Sequence, residues 1–180
     1  MNTQFLKEVI SKIDVNSSLI IINQKQYIDS IKYMVKELEN KNLILIATTK
    51  NTINEFINKN NTNNQIFLID CFSKESLNLK NYFYIGDCSN LTKIQIILNK
   101  IINDKKFIVL FDSLSVTSIY NKSKDVGRFI YFLNNKLKLQ ECSIIYFIID
   151  ETIEEEILNF TKELCDNNYD FSKVILDSIE

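Results

Sequence analysis

The sequence predicts an α/β fold of three layers, a doubly wound and mainly parallel sheet with helices on both faces. Five short runs carry the strand signal: Leu19–Asn23, Leu43–Ala47, Ile66–Asp70, Phe107–Asp112 and Ile144–Asp150. They are almost wholly apolar and rich in β-branched residues, as strands buried on both faces must be. Segments with apolar side chains at helical spacing lie between them, and this alternation builds right-handed βαβ crossovers. The 180 residues are 46% hydrophobic, enough for one core without covalent staples. No break in composition and no internal repeat divides them, so 1–180 reads as a single domain.

The elements follow in order. Within residues 1–14, Phe5, Leu6, Val9, Ile10 and Ile13 recur at helical spacing while Lys7, Glu8 and Lys12 interrupt any apolar stretch. This is an amphipathic helix and not a secretion signal. After the first strand run, Ile28, Ile31, Met34, Val35 and Leu38 form a helical stripe. Thr52 with Glu55 reads as a capping box, in which each side chain satisfies a backbone N–H of the first turn. Asn58 to Asn64 is a polar loop, Cys71 to Asn81 an irregular connection, and Tyr82–Ile85 a short strand. Further helical stripes are Ile94, Ile97, Leu98, Ile101 and Ile102, then Val126, Phe129, Ile130, Leu133 and Leu137, then Ile153, Ile157, Phe160 and Leu164. Thr152 with Glu155 is a second capping box. Glu151, Glu154, Glu155 and Glu156 stand in that helix's first turn, where the dipole favours negative charge. Val174–Ile179 adds a last edge strand.

Composition excludes much chemistry. The chain has no histidine, tryptophan or proline, and its two glycines are Gly86 and Gly127. Histidine triads, Cys-His dyads, His-ligated metals and glycine-rich phosphate loops are therefore absent. Isoleucine (30), asparagine (23) and lysine (20) reflect codon bias, which makes Asn-x-Ser/Thr matches at Asn16 and Asn90 uninformative. A net charge of −2 and a single arginine, Arg128, argue against a nucleic-acid partner. The longest uninterrupted apolar run, Ile144 to Ile149, has six residues, far below the roughly 20 of a membrane-spanning helix. A cytoplasmic location is expected. Cys71, Cys88, Cys142 and Cys165 lack CxxC spacing and read as buried free thiols, with no metal.

In open parallel sheets ligands bind beyond the carboxyl ends of the strands, here at Asn23, Thr48, Thr49, Asp70, Asp112, Ser113 and Asp150. A phosphate-receiver reading needs an acidic pair after the first strand and a lysine after the late one, but Asn23-Gln24 and Glu151-Thr152 occupy those places. Phe107-Ile-Val-Leu-Phe-Asp112 is instead a Walker B pattern, whose carboxylate holds magnesium beside a nucleotide. Two expectations compete for Asp112. A vestigial metal ligand would be ionised near solvent, whereas a structural residue would accept backbone N–H bonds from Leu114 and Ser115.

The block Phe111-Asp-Ser-Leu-Ser115, the helix near Asp125 to Phe129 and the strand Ser143–Asp150 resemble the back half of RecA-superfamily ATPases of the KaiC type. Upstream, Ile66–Cys71 and Ser89–Ile96 fall in that family's order, and the likeness spans roughly residues 17–178. It implies a P-loop NTPase-like fold. An active member carries GxxxxGK[ST] after its first core strand, where backbone N–H groups, a lysine and a hydroxyl hold the phosphates and magnesium. This chain has Asn23-Gln-Lys-Gln-Tyr-Ile-Asp29-Ser30 there: both glycines are gone, Asp29 replaces the lysine, and Ser30 alone remains of the hydroxyl pattern. Thr48 and Thr49 stand where the family's acidic general base would be. The resemblance is to a RecA-like domain that lacks its Walker A loop.

The leading expectation is a degenerate KaiC/RecA-like domain without ATP hydrolysis, catalytic residues or cofactor. It would act as a regulatory or protein-interaction module on an active paralogue or on itself as a homo-oligomer. One alternative is a small-molecule or metal-binding protein or enzyme using Asp70, Asp112 and Asp150 with Ser113 and Thr48 at the strand ends. Another is a recombination accessory factor, whose basic loops would have to come from Lys105, Lys106, Lys122 and Lys124.

Overall fold

The computed structural model describes residues 4–60, 65–103, 105–150 and 152–173. In chain order the elements are α1 (Gln4–Ser11), β1 (Ser17–Ile22), α2 (Gln24–Leu38), β2 (Leu43–Ala47), α3 (Lys50–Asn60), β3 (Ile66–Asp70), β4 (Tyr82–Tyr84), α4 (Leu91–Ile101), β5 (Ile108–Asp112), α5 (Leu114–Tyr120), α6 (Ser123–Leu139), β6 (Ser143–Ile149), α7 (Glu155–Leu164) and β7 (Asn167–Asp170). The strands form one sheet in the order β4-β3-β2-β5-β6-β1-β7, and every pairing in it is parallel.

Two cores sandwich this sheet. Leu6 and Val9 of α1, Ile31, Met34 and Val35 of α2 and Phe56 of α3 pack with Ile20, Leu45 and Phe147 on one face. Ile94 and Leu98 of α4, Leu114 of α5, Phe129 and Leu133 of α6 and Ile157 of α7 pack with Ile46, Phe111 and Tyr146 on the other. Successive strand residues point to opposite faces, so β2, Leu19–Ile22 of β1 and Ile108–Phe111 of β5 are apolar at every position. Each buried Leu, Ile or Phe contributes about 1.5–3 kcal/mol to such a core.

Local chemistry sets the helix starts. Asn23 caps α2 by accepting from the Gln26 amide at 3.1 Å, and Asn90 caps α4 through Lys93 at 3.0 Å. The stripes of α4 and α6 are buried as their spacing predicts, except that Ile102 lies one residue past α4. Ile28 is exposed and leaves the α2 stripe to Tyr27 and Ile31.

Both expected capping boxes are corrected. The α3 helix begins at Lys50, which puts Thr52 inside its first turn, pointing at β5. The α7 helix begins only at Glu155, after a turn closed by Thr152 Oγ1 donating to the Ile149 carbonyl at 2.7 Å. Glu155 and Glu156 do occupy its first turn; Glu151 lies outside the described residues, as do Val174–Ile179 and residues 61–64 of the polar loop.

Two elements carry no apolar-run or stripe signal. The α5 helix buries Leu114, Ser115, Thr117 and Ser118, mostly hydroxyl side chains satisfied by backbone. Ser115 Oγ accepts from the Ile149 amide at 2.9 Å, and Thr117 and Ser118 donate to carbonyls one turn back. The polar β7 is an edge strand on β1. Asp166, just before it, accepts from the amide and the hydroxyl of Ser17 at 2.9 Å each and fixes its register.

Candidate functional site

The chain leaves β2 toward the face covered by α3 and leaves the adjacent β5 toward the face covered by α5 and α6. That opposition makes a topological switch point, where a parallel sheet opens a crevice for a ligand. Five residues meet there, Thr48 and Thr49 from the β2–α3 turn, Thr52 from the first turn of α3, and Asp112 and Ser113 from the end of β5.

Their hydrogen bonds run inward. Thr48 Oγ1 donates to the Asp112 carbonyl at 2.8 Å and accepts from the Ser113 amide at 2.8 Å. Thr49 Oγ1 donates to Asp112 Oδ2 at 3.0 Å, and Thr52 Oγ1 donates to the same oxygen. Ser113 caps α5 through the Val116 amide, and the Asp112–Ser113 peptide is cis. Asp112 and Ser113 are both 0% exposed.

Both expectations for Asp112 are therefore corrected. The carboxyl is not near solvent, and its partners are threonine hydroxyls from the neighbouring strand's turn in place of the Leu114 and Ser115 amides. Its second oxygen, Oδ1, is buried without a hydrogen-bond partner among the described residues. Burial pushes the carboxyl well above the usual carboxylate range, because a charge removed from water is disfavoured. The carboxyl is thus packed beneath the hydroxyls of Thr49 and Thr52, while Thr48 holds the Asp112 backbone.

The first-strand position is also closed. No loop separates β1 from α2: Asn23 is the cap residue and residues 24–38 are helix. Asn23 Nδ2 donates to the Ser172 carbonyl at 3.3 Å, which ties the cap to the segment after β7. Asp29 is on the exposed side of α2, and Ser30 is fully buried with its Oγ unpartnered among the described residues. None of residues 23–30 takes the positive φ that a phosphate-cradling loop uses. These residues do not fit a magnesium–triphosphate group. Because β6 lies between β1 and β5, Asn23 and Asp112 begin two strand spacings apart, about 10 Å.

The remaining strand-end carboxyls do not join Asp112. Asp70 Oδ1 accepts from the Phe72 and Ser73 amides at 2.8 and 2.9 Å, and Oδ2 accepts from the Tyr82 hydroxyl at 2.7 Å. Burial and this bond together push the Tyr82 phenol upward. Asp150 is half-buried beyond β6. Among the described residues no three acidic or cysteine side chains are grouped to hold a metal ion. The four cysteines are buried and unpaired, and burial raises Cys165 to about 12. The lysines proposed for a basic loop lie at opposite ends of the strands. Lys105 and Lys106 lead into β5, with Lys106 paired to Glu141. Lys122 and Lys124 flank the start of α6, next to Asn121, which bonds the Cys88 carbonyl before α4. Among the described residues no helix is long and apolar enough to cross a membrane.

Open space lies elsewhere: a hollow of about 450 Å³ at the amino ends of the strands, lined by Asp14, Asn42, Lys106 and Glu141 among others, and two hollows on the outer surface of the second helical layer. A cleft of about 490 Å³ between the starts of α4 and α6 is lined by Asp87, Asn90, Thr92, Asp125 and Arg128. A groove of about 420 Å³ between α6 and α7 is lined mainly by Gly127, Arg128, Tyr131, Phe132, Phe160 and Leu164. The sequence held a signal for this surface: Tyr131 and Phe132 are aromatic yet fall off the buried stripe of their own helix.

No protein-family model matches the sequence, and no curated protein matches it. Among solved structures, a protein of Pyrococcus horikoshii OT3, the subject of a structural study, superposes with a TM-score of 0.61 at 10% identity, over 96% of this chain and 89% of that one. At that identity the likeness concerns architecture alone, and with the all-parallel seven-stranded sheet it establishes a three-layer α/β fold with helices on both faces.

Proposed function

We propose that this chain is a KaiC/RecA-like domain that does not hydrolyse nucleotide and acts through protein contact, as a regulatory or interaction module. The observation that carries the reading is the filled switch point: a fully buried Asp112 held by Thr49 and Thr52 where a ligand crevice would open. Two features support it further. The β1–α2 connection is a directly capped helix, and the α6–α7 groove exposes aromatic side chains to a partner. The strand-end ligand reading would need Asp70 free, and both of its oxygens are engaged within its own turn and β4.

Calorimetric titration with magnesium-ATP tests this. The expected result is no binding heat up to about 1 mM, which corresponds to less than about 4 kcal/mol of affinity. Micromolar binding, or turnover that disappears in Asp112→Asn while the circular dichroism spectrum is kept, would overturn it.

A further inference from the structure

The groove between α6 and α7 carries two rows of side chains with opposite character. On α6, Lys124, Arg128, Tyr131 and Phe132 recur at helical spacing, and all four are exposed, Phe132 by 61%. On α7, Glu156, Phe160 and Glu163 do the same. Phe160 lies against Gly127, where an added Cβ would stand 3.4 Å from its ring, so the two rows meet edge to edge. One row is basic and aromatic, the other acidic and aromatic.

The two helices also run in the same direction. Ser123 Oγ donates to Glu154 at one end, 3.1 Å, and Asn134 Nδ2 donates to the Leu164 carbonyl at the other, 2.8 Å. Residue 123 is thus level with 154, and 134 with 164. This register makes the surface complementary to itself. A two-fold axis laid along the groove sets each α6 on the other copy's α7, parallel and at equal height. Lys124 then faces Glu156. Arg128 faces Phe160 between Glu156 and Glu163, combining ion pairing with a cation on an aromatic ring. Tyr131 comes level with the turn that carries Glu163.

We propose that this face is an isologous interface and that its occupant is a second copy of the chain. The inference rests on the protein-contact reading above and names the partner. The footprint sets the strength. Two adjacent helices about 20 Å wide and 15–25 Å long cover roughly 300–500 Å² per copy. The total for two copies, roughly 600–1,000 Å², is below the standard size of a specific interface, so the dimer is weak and transient, with a dissociation constant on the order of 10–100 µM.

Sedimentation velocity on the full chain, from about 1 to about 200 µM in 0.15 M salt, brackets that constant. The wild type is expected to shift from monomer to dimer across the range, and Phe132→Ser, an exposed position, to hold it monomeric. Charge reversal reads the register. Lys124→Glu with Arg128→Glu makes both rows acidic, and Glu156→Lys with Glu163→Lys makes both basic, so each double variant alone is expected to weaken dimerisation at least about tenfold. Mixed one to one, they restore both pairings and are expected to form a heterodimer that Phe132→Ser in either partner abolishes. A wild type that stays monomeric at the highest concentration overturns the proposal. So does a dimer indifferent to Phe132→Ser, or a mixture no more associated than its parts. Magnesium-ATP titration reads the parent proposal separately, since nucleotide binding leaves the dimer result standing.

Discussion

Asp112→Asn separates a buried neutral acid from every other carboxyl in the protein. The side chain keeps its shape and one oxygen to accept from Thr49 and Thr52, and loses its titration. The folded-state pKa is raised by burial, while in the unfolded chain an aspartate titrates near its ordinary value of about 3.9. Below that value both states hold the proton and Asp112 adds no pH dependence. Above it the unfolded chain releases the proton and the folded chain keeps it, so the folded state binds more protons and stability falls as pH rises. The slope is about −1.4 kcal/mol per pH unit, continuing until the pH passes the folded-state value.

The amide variant lacks this slope. Its Nδ2, in place of the unpartnered Oδ1, adds a pH-independent penalty of about 1–3 kcal/mol for a buried unmet donor. Variant stability minus wild-type stability is therefore expected to climb from about pH 4.5 upward until the pH passes the folded-state value, from a negative start. Urea unfolding at each pH measures it, followed by circular dichroism because the chain has no tryptophan. Equal denaturant slopes for the two proteins would validate the subtraction. A difference that stays flat with pH would mean that Asp112 is ionised in the folded protein, and the closed-site description would fail.

Gly86 sits at φ +70°, and a Cβ there would stand 2.3 Å from the Tyr84 hydroxyl, which donates to the Lys74 carbonyl. Gly86→Ala is expected to destabilise by about 1–3 kcal/mol in chemical denaturation, from left-handed strain and the displaced ring; an unchanged midpoint would contradict that geometry. All four thiols are buried, with Cys71 raised mainly by burial and Cys165 standing at about 12. At pH 8 a thiol-reactive dye is expected to label them at the rate of unfolding and all at once in denaturant, whereas rapid labelling of the native protein would refute their burial.

The sheet was legible in the sequence because a strand buried on both faces leaves an unbroken apolar record: Leu43–Ala47 and Ile66–Asp70 begin and end where the runs do. Elements with weaker records escaped. The α5 helix buries Ser115, Thr117 and Ser118, whose hydroxyls find backbone partners, so hydrophobic periodicity passes over it. The β7 strand needs only an edge position and the Asp166–Ser17 bonds, and its Asn-Asn-Tyr-Asp composition resembles a loop. The capping boxes failed for a shared reason: a Thr-x-x-Glu spacing marks a helix start only where no tertiary partner competes for the threonine. Asp112 competes for Thr52 and the Ile149 carbonyl for Thr152.

That competition also explains why the strand motif alone misdescribes Asp112. Five apolar residues followed by aspartate place a carboxyl at the end of a buried strand whether or not anything will bind there. What decides its state is the turn that faces it from the next strand. An acidic turn would raise the carboxyl's energy unless a cation came between them, and the crevice would have to stay open. A turn bearing Thr48, Thr49 and Thr52 supplies hydroxyl donors at bonding distance, draws the strand ends together, and makes the neutral acid a packing element of the core. The informative position was therefore the threonine pair at 48–49 read jointly with Asp112, since β2 and β5 pair in register with Ala47 beside Asp112. A triple Thr48, Thr49, Thr52→Val variant separates these two conditions: if it still folds with Asp112 unreactive toward carbodiimide, hydrophobic closure alone keeps the carboxyl sealed, and the hydroxyl donors are not what holds it.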